Sequence, residues 1–238
     1  MATARRRKTQ RGQEIFEFGL ALCLLMPTFL GAFIVGMNLI RSIQCNQMCR
    51  DLTDMYIHGA DFSTYSMQQM AQRLAQGLNL QIGASFSGNE NSNNSASGNG
   101  LVTVTQIMYV GTTSQPNCAA AIALGDTCTN ANSFVFTQQI VFGNESLASS
   151  TTQSLGTPSG ATLTSSGVVQ NPVTDSHAKL PAGPQAAMQA LWQTSSGQGQ
   201  QPLTDGQVVY IVETYFQSPD LAVGGGLSGN GVYARYFF

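Results

Sequence analysis

The five cysteines are the first residues in this chain to weigh for chemistry. Cys118 and Cys128 bracket a short run, AAAIALGDT, between two predicted strands, and outside a reducing cytoplasm thiols at that spacing are expected to pair. Closing so short a loop contributes ~2–3 kcal/mol. Cys45 and Cys49 share a face of a predicted helix and serve either as buried thiols or as a cross-link. Cys23 lies in an apolar run and reads as a packed thiol. With two histidines and no second cysteine pair at ligand spacing, a zinc centre is poorly supported. Asp51, Asp54 and His58 share a helical face and mimic a metal site, but three such side chains on one helix ordinarily form a solvated face. Asp175, Ser176 and His177 are adjacent, whereas a nucleophilic triad needs groups that converge from separated parts of a chain. Gly224, Gly226 and Gly229 have GxGxxG spacing, but the few residues that follow alternate like a strand and give no helix to receive phosphates. The expectation is therefore no metal, no cofactor and no catalysis.

The elements that must position these residues begin with an asymmetry of charge. Charged residues make up 9% of 238, against roughly 25% in a typical soluble protein. Arg5, Arg6, Arg7, Lys8 and Arg11 form a basic tip, while from Gln13 onward five basic residues face twelve acidic ones. That balance argues against a strongly basic nucleic-acid binder, and 42% hydrophobic residues argue against disorder. Residues 18–37 (FGLALCLLMPTFLGAFIVGM) carry no charge, and as a helix they cover about 30 Å, one hydrocarbon thickness. The basic tip before the run predicts an N-in, C-out anchor. A secretory signal has a shorter apolar core, about 7–15 residues, and a small-x-small cleavage site that is not seen here. Pro27 removes one helical hydrogen bond and is expected to bend the span. Glu17 lies just inside the apolar run. Deeper in a bilayer a carboxylate costs roughly 2.5–3.5 kcal/mol, so it either sits at the headgroup boundary or has a partner.

Beyond the span, Cys45, Cys49, Leu52 and Tyr56 make an apolar helical stripe. Ser66 and Gln69 read as a capping box that opens a second helix to about Leu78, with Ala71, Leu74, Ala75 and Leu78 facing inward. Residues 101–110, 133–142, 207–216 and 231–238 have the β-branched and aromatic alternation of strands, and 185–192 form a short helix opened by Pro184. Residues near 87–100 and 144–178 are polar and read as flexible insertions. Asn93 and Asn144 stand in N-x-S patterns, and the Ser/Thr tract is either modified or plainly flexible. The expected fold class is α+β: a long N-terminal helix, a second helix, and an antiparallel sheet.

One stretch resembles a known family. Following the basic leader, Arg11-Gly12-Gln13-Glu14-Ile15-Phe16-Glu17-Phe18 resembles the type III signal of prepilin-like proteins. The first sixty residues are similar to the start of TadE/TadG-like pseudopilins of the Flp (tight adherence, Tad) pilus system. Pro27 comes later than is usual there, and the first mature residue, Gln13, is polar. The resemblance implies cleavage between Gly12 and Gln13 by a prepilin peptidase. It also implies a bacterial inner-membrane location with a periplasmic, pilin-like head. Residues 1–12 would be a leader, 13–58 a transmembrane and juxtamembrane helix, and 59–238 the head. Glu17, followed by the aromatic Phe18, would pair with the new Gln13 amine of a neighbouring subunit, offsetting the cost of burying either charge. The implied partners are the peptidase, other pilins or pseudopilins, the inner-membrane assembly platform and membrane lipid, with no nucleic acid. The implied role is assembly or priming of a pilus for adherence or secretion. Two rivals remain: an anchored binding or adhesion protein never cut at Gly12, and an anchored envelope enzyme whose acids converge only in the fold.

Overall fold

A computed structural model gives the fold and describes residues 6–82, 98–193, 203–217 and 231–238. The chain divides into two units, Met1–Arg41 and Ser42–Phe238, the second of which we call the head. Helix α1 (Arg6–Ile57) is followed by α2 (Tyr65–Leu74), β1 (Gly100–Val110), α3 (Pro116–Ala123), β2 (Ser133–Gly143), α4 (Ala182–Gln193), β3 (Val208–Phe216) and β4 (Val232–Phe237). The architecture is α+β, with one four-stranded antiparallel sheet in the order β2-β1-β3-β4.

Two apolar cores lie on the two faces of that sheet. Cys45, Cys49, Leu52 and Tyr56 of α1 join Ala71 of α2 and Val104, Phe142, Val212 and Ala234 of the strands in the first. The second gathers Phe134, Phe136, Val209 and Ile211 under Leu155, Val169, Leu180 and Met188. Strand β2 serves both because of a bulge. Gln106 of β1 faces Gln138 while the next residue, Ile107, faces Phe136, so Thr137 is the extra residue. That one residue inverts the alternation, turning Phe134 and Phe136 to one core and Ile140 and Phe142 to the other.

Several boundaries differ from the expectations, each for a local reason. The cap of α2 is Thr64, and Ser66 lies inside the helix. A turn fixes that start: Ser63 N donates to Asp61 Oδ1 at 2.9 Å, and Thr64 Oγ1 donates to Asp61 O at 2.8 Å. Leu74 is the last residue of α2 and 49% exposed, and the inner stripe instead includes Gln68, whose Nε2 donates to Phe62 O at 2.9 Å. Helix α4 starts at Ala182, ahead of Pro184, and α3 was not anticipated. The largest correction concerns residues 144–178. Composition suggested a flexible insertion, yet Thr152, Gln153, Leu155 and Val169 are buried against the sheet. The same segment covers the outer edge of β2, with Gln139 N donating to Gly167 O and Val169 N to Thr137 O. Its apolar residues are too sparse to register as a pattern, and side-chain hydrogen bonds dock the rest. Of the other expected insertion, near 87–100, residues 87–97 lie outside the described residues and Gly100 already begins β1.

Candidate functional site

Two places collect the residues of interest, one in each unit. In the first, α1 is long and apolar enough to cross a membrane, and no part of its most apolar window is buried. Ile15, Phe16, Phe18, Leu24, Phe29 and Phe33 are all exposed. Glu17 is exposed on the same surface. The Gly12–Gln13 peptide bond lies within the backbone of α1, one to two turns after its start at Arg6. Pro27 is inside the helix, and the Thr28 hydroxyl one residue on donates to the carbonyls of Leu24 at 3.0 Å and Leu25 at 2.9 Å. Around Gly19, where no side chain fills the space, Ile15, Phe16, Leu20 and Cys23 border an open apolar hollow of about 600 Å³. Cys23 is thus exposed within this chain.

In the head, the unexpected feature is a polar seam inside the second face of the sheet. Thr103, Thr105, Gln139 and Glu213 are buried there, and Glu213, 1% exposed, is the one charged side chain buried among the described residues. Residues 153–156 dock onto this row. Gln153 Nε2 donates to Thr103 Oγ1 at 3.1 Å, and Gln139 Nε2 donates to Thr105 Oγ1 at 3.3 Å and Gly156 O at 2.9 Å. Glu213 Oε1 accepts from Ser154 N at 2.9 Å, Ser154 Oγ at 2.6 Å and Tyr233 OH at 2.5 Å. Glu213 Oε2 has no hydrogen-bond partner. Arg235, directly opposite Glu213 in the ladder, donates from Nη1 to Ser154 Oγ at 2.7 Å. Burial, and after it the Glu213 carboxylate, push the Tyr233 hydroxyl above its ordinary pKa, so it stays a donor.

No protein-family model, curated protein or solved structure matches the chain. Its residues therefore speak for themselves.

The remaining sequence candidates fall into place by geometry. Cys118 and Cys128 are joined as a disulfide, which ties the start of α3 to the loop that follows it. Cys45 and Cys49 are free and buried: Cys45 Sγ lies 3.2 Å from Thr214 Oγ1, and Cys49 Sγ donates to Val212 O at 3.1 Å. Burial raises their pKa values to about 11 and about 12. Asp51 and Asp54 line an open cleft of about 550 Å³ between α1 and Tyr236 and Phe238. His58 bonds locally, its Nδ1 2.7 Å from Asp54 O, and no group of three ligating side chains forms among the described residues. Asp175 caps a single 3₁₀ turn through His177 N, which holds its carboxyl below the ordinary range. Asn144 is buried, with Nδ2 on Gly98 O at 2.7 Å and Oδ1 accepting from Ser146 N and Oγ, so its amide is occupied within the fold. Asn93 and the glycines 224–229 lie outside the described residues. Sequence reasoning missed the seam; its one signal was Glu213, a charge on the inward phase of the apolar strand VVYIVETYF.

Proposed function

We propose that this chain is a membrane-anchored, prepilin-like structural subunit of the TadE/TadG type, cut between Gly12 and Gln13 and acting in the assembly or priming of a Flp-type pilus. The observation that carries the reading is α1. One helix holds the RGQEIFEF signal, then a surface that is apolar and exposed on every side, then the stripe of Cys45, Cys49, Leu52 and Tyr56 in the head's first core. An apolar surface of that extent needs lipid or neighbouring helices around it. The hollow at Gly19 offers a place where a neighbour's side chain can seat close to the backbone. Glu17, two residues before Gly19 and exposed, offers a carboxylate to the amine that cleavage creates on an adjacent subunit. The head, exported to the periplasm, carries partner recognition, and no step of catalysis is assigned to it.

Cleavage requires the first turns of α1 to open, and a helix end is where opening costs least. Mapping the mature N-terminus by mass spectrometry, with the cognate peptidase present, tests the proposal: Gln13 is expected to be the first residue. A chain that keeps residues 1–12 in that setting removes the pilin reading and leaves an uncut signal-anchored protein. A new start beyond residue 37 identifies a secretory signal instead.

A further inference from the structure

The seam brings together the three groups needed for a covalent cross-link. Thr103 and Glu213 are 1% exposed and Gln153 is 9% exposed, so water is largely excluded. The Gln153 amide nitrogen is 3.1 Å from Thr103 Oγ1, and the amide carbon is one C–N bond, about 1.3 Å, beyond it. Thr103 and Glu213 are directly opposite in the β1–β3 ladder, where side chains on one face meet. Three donors hold Glu213 Oε1, while Oε2 remains an acceptor with nothing to accept. A buried carboxylate oxygen left without a donor is costly.

We propose that Thr103 and Gln153 form an intramolecular ester, with Glu213 as the general base. Glu213 takes the Thr103 hydroxyl proton as Oγ1 bonds to the Gln153 side-chain carbonyl carbon. The tetrahedral adduct collapses, the C–N bond breaks, and Glu213 returns the proton to the departing nitrogen. Ammonia leaves, the carboxylate is regenerated, and no oxidant or second reactant is consumed. Proximity supplies the drive, since both partners are already held by the fold. The bond ties residues 153–156 to the middle of the sheet, fifty residues away in sequence.

The sheet contains its own control. Gln139 and Thr105 make the same amide–hydroxyl pair at 3.3 Å, but across the ladder from Thr105 stands Ile211, which cannot act as a base. One cross-link is expected, not two. Cleavage after Glu90, Glu145 and Glu213 with a glutamate-specific protease places Thr103 in fragment 91–145 and Gln153 in fragment 146–213. In unfolded, reduced digests of the full chain the two fragments are expected as one species, lighter than their sum by one ammonia; a further loss of one water would mark an uncut Glu145–Ser146 peptide bond. Hydroxylamine, which cleaves esters, separates them. Localisation rests on the joined fragments because a freed N-terminal Gln13 also loses ammonia on cyclising. Thr103→Val is expected to abolish the joined species and Thr105→Val to leave it. Glu213→Gln, checked by circular dichroism for a folded head, is expected to lower its yield at least tenfold. Separate fragments from the folded wild-type chain overturn the proposal, and a joined species in Thr103→Val overturns the assignment of the nucleophile. Undiminished yield in folded Glu213→Gln overturns the role of the base.

Discussion

At the residue scale, Cys45 and Cys49 show how burial changes a thiol. Each is closed off against β3, and each would have to ionise without water around it. Their pKa values of about 11 and about 12 lie above the ordinary 9.0, so the folded head keeps both protons where the unfolded chain gives them up. Stability is therefore full below about pH 9 and falls as the pH rises toward 12, because the unfolded state then binds fewer protons. The measurement is alkylation of tryptic peptide 42–50, which carries both thiols. At pH 8 iodoacetamide is expected to leave it unlabelled in the folded chain and to label both thiols in urea. Labelling of the folded chain at pH 8 would contradict the buried placement. At this scale sequence reasoning could identify which cysteines share a face but not whether they pair, because pairing depends on rotamers and on what packs above them. Glu213 was harder still to read: its role depends on Ser154, Tyr233 and Thr103, which come from three other parts of the chain.

At the element scale, what was legible follows from period. The four strands lie within a residue or two of their expected bounds, since alternating apolar side chains on a sheet with two covered faces leave a strong trace. The stripe of α1 was equally clear. Leu52 is fully buried in the first core between α1 and the sheet. Leu52→Ala is expected to destabilise the head by about 2–5 kcal/mol, read as a lower urea midpoint with an unchanged slope. A shift below half a kcal/mol would mean that α1 does not form that wall. Residues 144–178 were not legible because polar side chains dock them, and composition does not distinguish a serine that faces water from one that faces a carboxylate. Ser154 is the case in point: both its N–H and its hydroxyl reach Glu213. The bulge at Thr137 was invisible for another reason, since an extra residue is defined only by the strand opposite.

At the scale of the whole molecule, the proposed role separates anchoring from assembly and assigns them to different atoms. In that proposal insertion depends on the exposed apolar side chains of α1, whereas register between subunits depends on one exposed carboxylate, Glu17. Glu17→Ala is accordingly expected to remain in the membrane pellet after a carbonate wash while recovery of cross-linked pilin partners falls at least tenfold, a loss of about 1.4 kcal/mol or more. Undiminished partner recovery would remove Glu17 from the mechanism, and loss from the pellet would make it part of the anchor. The head depends on a different single residue. Strand β2 is a ribbon with one half-turn in it, and Thr137 is that half-turn. Paired evenly, with no residue set aside as the bulge, the same side chains would alternate throughout, and Phe134 and Phe136 would turn to the side of Ile140 and Phe142, away from Leu155, Leu180 and Met188. One core would then be overfilled and the other hollow, although no apolar residue had been lost. Pairing, not composition, decides which core each end of this strand fills.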